Sequence, residues 1–418
     1  MSVLRRNIFS LLLLQGSNYI IPLLTLPYLT RVLGVEGFGV YSLTLSLAQY
    51  FVILIDFGFN LSASKKIAEH QDDPEYISKI FFETLISKSI LCLVSIVIVL
   101  LLLATNSHAV IQRELIYTVL MLIGTTLMPV WFFQGIEKLS VVTNLMIVAK
   151  LSMLPLFFIF VHNDADVKYA VMIQSSMNLV AGIIAIIYIY RKKLVRAVDF
   201  SNLRVSYTLK DSFPIFCATL SISLYTMSTT IIIGIFSNVY EVSIFTAADR
   251  VKGAILGVFL VLGNAFYPRI NSLLVNKKDD AYALIRKIFY WQGALCIIIT
   301  IFVIAFSKLI TKIMFGYEYS EVSTLLILFS PVYLLVIQST VLGNYILLPH
   351  GHKTSYTILP MVSAVIHIPL CAYLASKYGA WGGGLSIIVI ETLSFICLIL
   401  ILKRKKLLFE VLSRNKNG

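Results

Sequence analysis

Stretches of about twenty mostly apolar residues recur roughly every 35 residues along this chain, and each is long enough to cross a hydrocarbon layer of ~30 Å as a helix. Only short polar loops fit between them. With 58% hydrophobic and 13% charged residues among its 418, the chain has too little polar surface to clothe a water-soluble globule. Its main solvent is therefore bilayer. Backbone N–H and C=O groups find no water in hydrocarbon, so each stretch must satisfy its own hydrogen bonds, and helices do this residue by residue.

Read between charged or Gly/Pro/Asn breaks, the apolar runs give twelve spans, near residues 8–30, 37–59, 80–104, 114–134, 141–161, 167–190, 212–236, 242–267, 287–306, 322–348, 355–376 and 380–402. The first follows Arg5 and Arg6 but is too long for a signal-peptide core and lacks a small-residue cleavage site, so it reads as a retained helix. Twelve spans put both termini on one side. Of the 34 basic residues, the other side receives only Arg31, Arg113, Lys168, Lys308, Lys312 and Lys377. The bias makes the basic side cytoplasmic and accounts for the net charge of +13 without nucleic acid. All five cysteines lie in apolar runs with no paired metal spacing, which suits packing rather than ligation.

Two segments echo each other. ASKKIAEHQDDPEYISKIFFE from Ala63 and PRINSLLVNKKDDAYALIRKIFYW from Pro268 both carry a basic start, an Asp pair and then Lys-Ile-Phe opening an apolar span. A second echo matches Arg191-Lys192-Lys193-Leu194 to Arg404-Lys405-Lys406-Leu407. The offsets divide the chain in half, and an even number of spans per half makes the repeat parallel. The expected fold is all-α, about twelve transmembrane helices in two six-helix lobes related by a parallel pseudo-twofold axis. The N-terminal lobe covers 1–195, a cytoplasmic linker 196–211, and the C-terminal lobe 212–418, ending in a basic cytoplasmic tail.

The segments LPYLTRVLGVEGFGVYS (26–42), DFGFNLSASKKIAEHQDD (56–73), WFFQGIEKL (131–139), QSSMNLVAGIIA (174–185) and FYPRINSLL (266–274) resemble the polysaccharide flippases of the multidrug, oligosaccharidyl-lipid and polysaccharide exporter superfamily, and among them the bacterial O-antigen translocases. The resemblance implies a multi-pass protein of the bacterial inner membrane that turns an undecaprenyl-diphosphate-linked oligosaccharide from the cytoplasmic to the periplasmic leaflet by alternating access. It also implies partners in membrane lipids and in a polysaccharide polymerase and chain-length regulator, and no cofactor. The family lines its cavity with cations, and the basic residues placed for that role here are Arg250, Lys150, Lys252 and Arg31.

Ionisable residues within spans cost ~2.5–3.5 kcal/mol each at a helix centre, so they normally face a cavity, a partner or the interface. Lys150 and Glu391 fall near the middle of their spans, and Asp249, Arg250 and Lys252 lie about two turns into another. Asp249 and Lys252, spaced i, i+3, can pair on one face, while Arg250 points about 100° away and is the freest ligand for phosphate. Its competing reading is an ion pair with Glu391. Asp249, Glu391 and Asp56 are the candidates for ion pairing or for carrying a coupling proton. Glu83 and Lys88 are close enough to the span end to snorkel. Pro22 and Pro27 interrupt the first span and mark a hinge or a passive kink.

Other functions lack their motifs. Gly34 and Gly39 have P-loop spacing, but Val40 and Tyr41 stand where Lys and Ser/Thr are needed. Asp164-Ala165-Asp166 resembles the metal and nucleotide-sugar motif of a glycosyltransferase but falls in a periplasmic loop. A drug antiporter of the same superfamily is the nearer alternative, although exporters of cations favour acidic cavities and the charges here are basic. Reporter fusions test this topology: those after Lys193 and after Lys406 are expected to read cytoplasmic and one near Asp164 periplasmic. A periplasmic reading at Lys193 would remove both the span count and the parallel repeat.

Overall fold

The computed structural model describes residues 3–105 and 113–412, with side chains from residue 22 onward except at a few interior positions. Arg414 and Lys416 of the basic tail, and the side chains of Arg5 and Arg6, lie outside the described residues. Those described form helices and no strand, as an apolar solvent demands. The helices are α1 (Val3–Asp56), α2 (Phe59–Glu69), α3 (Pro74–Thr105), α4 (Val119–Leu127), α5 (Val130–Gly135), α6 (Leu139–Phe160) and α7 (Val167–Arg191). They continue with α8 (Val205–Phe236), α9 (Val239–Asn276), α10 (Lys278–Met314), α11 (Val322–Leu342), α12 (Lys353–Arg404) and α13 (Leu407–Leu412).

Eight helical stretches among the described residues are long and apolar enough to cross a membrane, nine if the bent α8 is counted. Two of the eight are far longer than a bilayer needs. Helix α1 has 54 residues and α12 has 52. At 1.5 Å per residue each would reach about 80 Å if straight. Each is instead two helices joined at one non-helical glycine, Gly34 (φ 64°) in α1 and Gly379 (φ 52°) in α12. At Gly379 the chain folds back sharply, since a Cβ on Gly382 would collide with the carbonyl of Leu374. Glycine suits both joints because left-handed φ costs it nothing.

The chain divides into two compact units, Met1–Ser223 and Leu224–Gly418, with the boundary inside α8. In the first unit Phe81, Trp131, Phe132 and Phe133 are buried with Ile67, Ile77 and Ile189, joining α2, α3, α5 and α7. A second cluster unites Ala48, Ile55, Cys92, Val99 and Leu122. Helices α4 and α7 cross closely at Gly124, where a Cβ would strike the backbone of Asn178 and Leu179, and Gly182 lies against the carbonyl of Gly124. In the second unit Ile270, Tyr282, Ile285, Ile288, Tyr345 and Leu402 form the core.

The two echoes differ in how far their structures match. Asp73 caps α3, its Oδ1 accepting from the backbone N–H of Glu75 (3.1 Å) and Tyr76 (3.0 Å), and Asp279 and Asp280 occupy the first turn of α10. Lys193 and Lys406, matched in the second echo, both adopt left-handed backbone after a basic helix end, at φ 49° and 60°. The second echo thus matches in backbone, whereas the first does not match in its cap, since α10 begins after Lys277 without a side-chain cap bond.

Close crossing at Gly124 predicts that Gly124→Ala costs about 1–3 kcal/mol through overpacking. Gly253→Ala, with nothing within 4 Å of the new Cβ, should be neutral or slightly stabilising. Thermal unfolding of the two variants in detergent micelles checks the pair. Equal midpoints would show that the α4–α7 crossing is not tight.

Candidate functional site

Helix α1 ends at Asp56, and the chain then takes two left-handed residues, Phe57 (φ 42°) and Gly58 (φ 78°), before α2 begins. A bulky residue in that region is costly, and packing holds it there. The Phe57 ring stacks on Phe216 at 4.6 Å, and a Cβ on Gly58 would lie 2.7 Å from Ile215. Gly58 is therefore required both for its φ and for the close approach of α8.

Beside this break, Lys88 of α3 donates to Asp56 Oδ1 at 3.0 Å. The Lys88 side chain is 1% exposed and that of Asp56 34%. The expectation that Lys88 and Glu83 snorkel is corrected here: both face the protein interior, where partners from other helices reach them. Glu83 is 3% exposed, and its carboxylate accepts from the backbone N–H of Arg204 (2.7 Å) and from the Thr208 hydroxyl (2.9 Å). The segment before and into α8 is pinned further by Lys66 to Asp211 at 2.7 Å, by Ser62 to Ser212 at 2.7 Å and by the Arg196 N–H donating to Ser78 Oγ at 2.8 Å. Within the first unit, residues 196–212 are thus tied to α2 and α3.

In the second unit, Asp249 and Lys252 pair at 2.5 Å, as i, i+3 spacing allows. Lys252 also sits 4.8 Å over the ring of Phe329 on α11, a cation–π contact that partly offsets its burial. Arg250, the next residue round the helix, is exposed and makes no ion pair with Glu391 or with any other described carboxylate. Glu391 is half-buried on α12. His367, fully buried, meets the Thr229 hydroxyl at 2.9 Å. Glu241 caps the helix that follows Gly379, its Oε2 accepting from Ala380 N–H at 2.7 Å. The first-turn pattern Asn238-Val-Tyr-Glu241 signals only the start of α9, where Asn238 Oδ1 accepts from the Glu241 N–H at 2.9 Å, and a lone histidine in an apolar run does not reveal its partner.

Lys150 is half-buried in α6, and Arg31 is exposed three residues before the Gly34 joint. Pro22 and Pro27 lie within the first part of α1, where Thr25 and Thr30 hydroxyls donate to the carbonyls of Pro22 (3.0 Å) and Leu26 (2.9 Å). Asp166 of the Asp-x-Asp motif closes a capping box, its Oδ2 accepting from the N–H of His162 (2.9 Å) and Asn163 (3.2 Å). That gives the motif a structural use at the start of α7. Among the described residues no group of three or more His, Cys, Asp or Glu side chains could hold a metal ion.

The unequal burial of the Asp56–Lys88 pair predicts unequal losses. Asp56→Asn leaves the enclosed ammonium unpaired and should cost about 3 kcal/mol, whereas Lys88→Met leaves a carboxylate with access to the surface and should cost less. The double variant should recover most of the Asp56→Asn loss in thermal unfolding. Additive losses would mean that the pair does not couple.

Residues 4–274 match the family of polysaccharide biosynthesis proteins. A "Putative O-antigen transporter" of Escherichia coli K12 is 32% identical over 97% of this chain and 98% of its own length. A protein of the same description from Shigella dysenteriae is 29% identical over 93% of this chain and 98% of its own. Among solved structures, the fold is similar to lipid II flippase MurJ in an inward closed conformation, with TM-score 0.71 at 13% identity over 96% of this chain and 87% of that one. It is similar also to an inward-facing MATE family multidrug resistance transporter, with TM-score 0.68 at 15% identity over 95% of this chain and 100% of that one. The chain belongs to the polysaccharide biosynthesis protein family and has the fold of the MOP-superfamily transporters.

Proposed function

We propose that this protein is a flippase for a lipid-linked oligosaccharide, carrying an undecaprenyl-diphosphate-linked repeat unit of the O-antigen type from the cytoplasmic to the periplasmic leaflet. Two relatives matching nearly the whole chain are named as O-antigen transporters, and a fold neighbour is named as a lipid II flippase. The chain is a transporter rather than an enzyme. In this reading it lies in the bacterial inner membrane with both termini cytoplasmic, and the glycine joints at Gly34 and Gly379 each divide two spans of a total of twelve. Two six-helix lobes alternate access, and the product passes to a polymerase and chain-length regulator.

The observation that carries the reading to a diphosphate is the charge state of α9. Asp249 already neutralises Lys252, whereas Arg250 makes no ion pair among the described residues. A guanidinium at the depth of a membrane span costs several kcal/mol unless a polar surrounding or an anion meets it. A diphosphate supplies that anion, and the planar fork of arginine grips phosphate oxygens in pairs. Lys150 and Arg31 add positive charge on helices α6 and α1.

Arg250→Ala is expected to abolish surface polysaccharide in a strain lacking the native protein, and Arg250→Lys to keep part of it. Membrane abundance is measured alongside to exclude misfolding. Adding Glu391→Gln to Arg250→Ala should give no rescue. Wild-type polysaccharide in the Arg250→Ala, Lys150→Ala, Lys252→Ala triple variant would overturn the cationic route and favour a drug antiporter.

A further inference from the structure

On the first unit, a cavity of about 320 Å³ opens between the start of α3, the turn between α5 and α6, and the residues that follow α7. Its rim carries the exposed Lys138, Lys193 and Arg196, its floor the buried Ile77 with the half-buried Ile136 and Leu194, and no carboxylate lines it. We propose that this cavity binds the phosphate of an anionic membrane lipid, with the three cations on the headgroup and the apolar floor under the glycerol and the root of the acyl chains. The site is separate from the proposed cargo route and does not depend on it.

Three observations carry the assignment. First, the cations have no other protein partner: among the described residues Lys138, Lys193 and Arg196 make no ion pair and no side-chain hydrogen bond. Other bases of the same unit are paired, Lys65 with Glu69, Lys66 with Asp211 and Lys88 with Asp56. Asp73 caps α3, and Asp199 accepts from Asn202 and from the N–H and hydroxyl of Ser201, the latter two holding its carboxyl below the usual range. Both line a neighbouring cavity, of about 520 Å³, where Lys79 and Arg204 face them. The charges are thus sorted, mixed in one cavity and of one sign in the other.

Second, the backbone holds like charges together against their repulsion. Lys193 stands at φ 49°, and Lys138 follows Glu137 at φ 57°. At both positions the chain closes a helix end with a six-residue hydrogen bond, Leu194 N–H to Ile189 O (3.1 Å) and Lys138 N–H to Phe133 O (2.8 Å). Glycine is the usual residue where the chain turns left-handed, yet Glu137 and Lys193 stand there. Basic side chains at a helix C-terminus complement its dipole, which accounts for Lys138 and Lys193 in part but not for Arg196 in the segment beyond.

Third, the depth is right for a headgroup. Lys138 immediately precedes α6 and Lys193 follows α7 by two residues, and both helices are long and apolar enough to span. The cavity therefore lies where two spans leave the hydrocarbon. A lipid phosphate occupies that level, and clustered basic side chains beside a span recognise it at about fivefold in affinity per charge.

The full-length protein in neutral detergent, titrated with dioleoyl phosphatidylglycerol, dioleoyl phosphatidylcholine or inorganic phosphate, tests this through its unfolding midpoint. Phosphatidylglycerol should raise the midpoint and phosphatidylcholine should not. Lys138→Gln, Lys193→Gln, Arg196→Gln together should weaken the half-saturating level by roughly a hundredfold, and Arg196→Gln alone by about fivefold. The single variant keeps the test open if the triple fails to fold. An undiminished phosphatidylglycerol response in Arg196→Gln overturns the site. A response to inorganic phosphate without one to phosphatidylglycerol overturns the lipid assignment and leaves a free-phosphate site.

Discussion

In hydrocarbon a backbone hydrogen bond has no water to replace it, and several departures from helix among the described residues have local substitutes for the bonds they give up. At Phe57-Gly58 the carbonyl of Gly58 takes the N–H groups of Leu61 (3.0 Å) and Ser62 (3.2 Å), so hydrogen bonding resumes within one turn of the break. After Gly379 the carboxylate of Glu241 receives the first N–H of the next helix. Near the end of α11 the chain widens to a π turn over Gly343–Leu347, closed by Leu348 N–H to Gly343 O at 2.9 Å. Such turns often mark functional positions, and here the Tyr345 hydroxyl reaches across to Gly263 O at 2.8 Å. Several buried hydroxyls are met in the same local way, as Ser87, Ser95 and Thr126 return theirs to carbonyls four residues back, while others such as Ser42, Thr44 and Thr143 find no partner among the described residues.

The same shortage of polar partners governs side chains. Helix α3 carries two interior charges, and each is met by a group from elsewhere in the first unit: Asp56 of α1 for Lys88, and the N–H of Arg204 with the hydroxyl of Thr208 for Glu83. Enclosing such groups costs several kcal/mol per ion before pairing, so they add less stability than apolar side chains of their size would. What they add is position. A helix with charges at two depths has few registers in which both find partners, whereas an all-apolar α3 would slide against its neighbours with little penalty.

Much of this was legible in the sequence, and the limits have physical reasons. Apolar length located the helical stretches, and i, i+3 spacing anticipated the Asp249–Lys252 pair, because both depend on distance along one helix. Depth alone misled at Glu83 and Lys88, since a residue one or two turns from a span end can face lipid or protein, and only the neighbouring helices decide which. Pro22 and Pro27 drew attention in α1, yet the non-helical joint is Gly34: a proline removes one bond, while a left-handed glycine redirects the chain. The break after Asp56 had a signal in Gly58, but its cause, the packing of Phe216 and Ile215, lies some 160 residues away. His367 and Glu241 likewise depend on contacts between distant parts of one unit.

A contrast between the two units follows from their charges. In the first, the cation enclosed in α3 is neutralised by a carboxylate on another helix, a contact that fixes two elements against each other. In the second, Asp249 neutralises Lys252 from the same helix, a contact that α9 keeps however it moves. An ion pair within one helix constrains no neighbour, so it stabilises charge at depth without locking the bundle. The Phe329 ring beside Lys252 is a softer tether, because a cation–π contact tolerates displacement that a short hydrogen bond does not. Charge is therefore carried within α9 without that pair fixing the helix to a neighbour, and the contacts that do fix it are others, among them Tyr345 hydroxyl to Gly263 O and Ala380 N–H to Glu241.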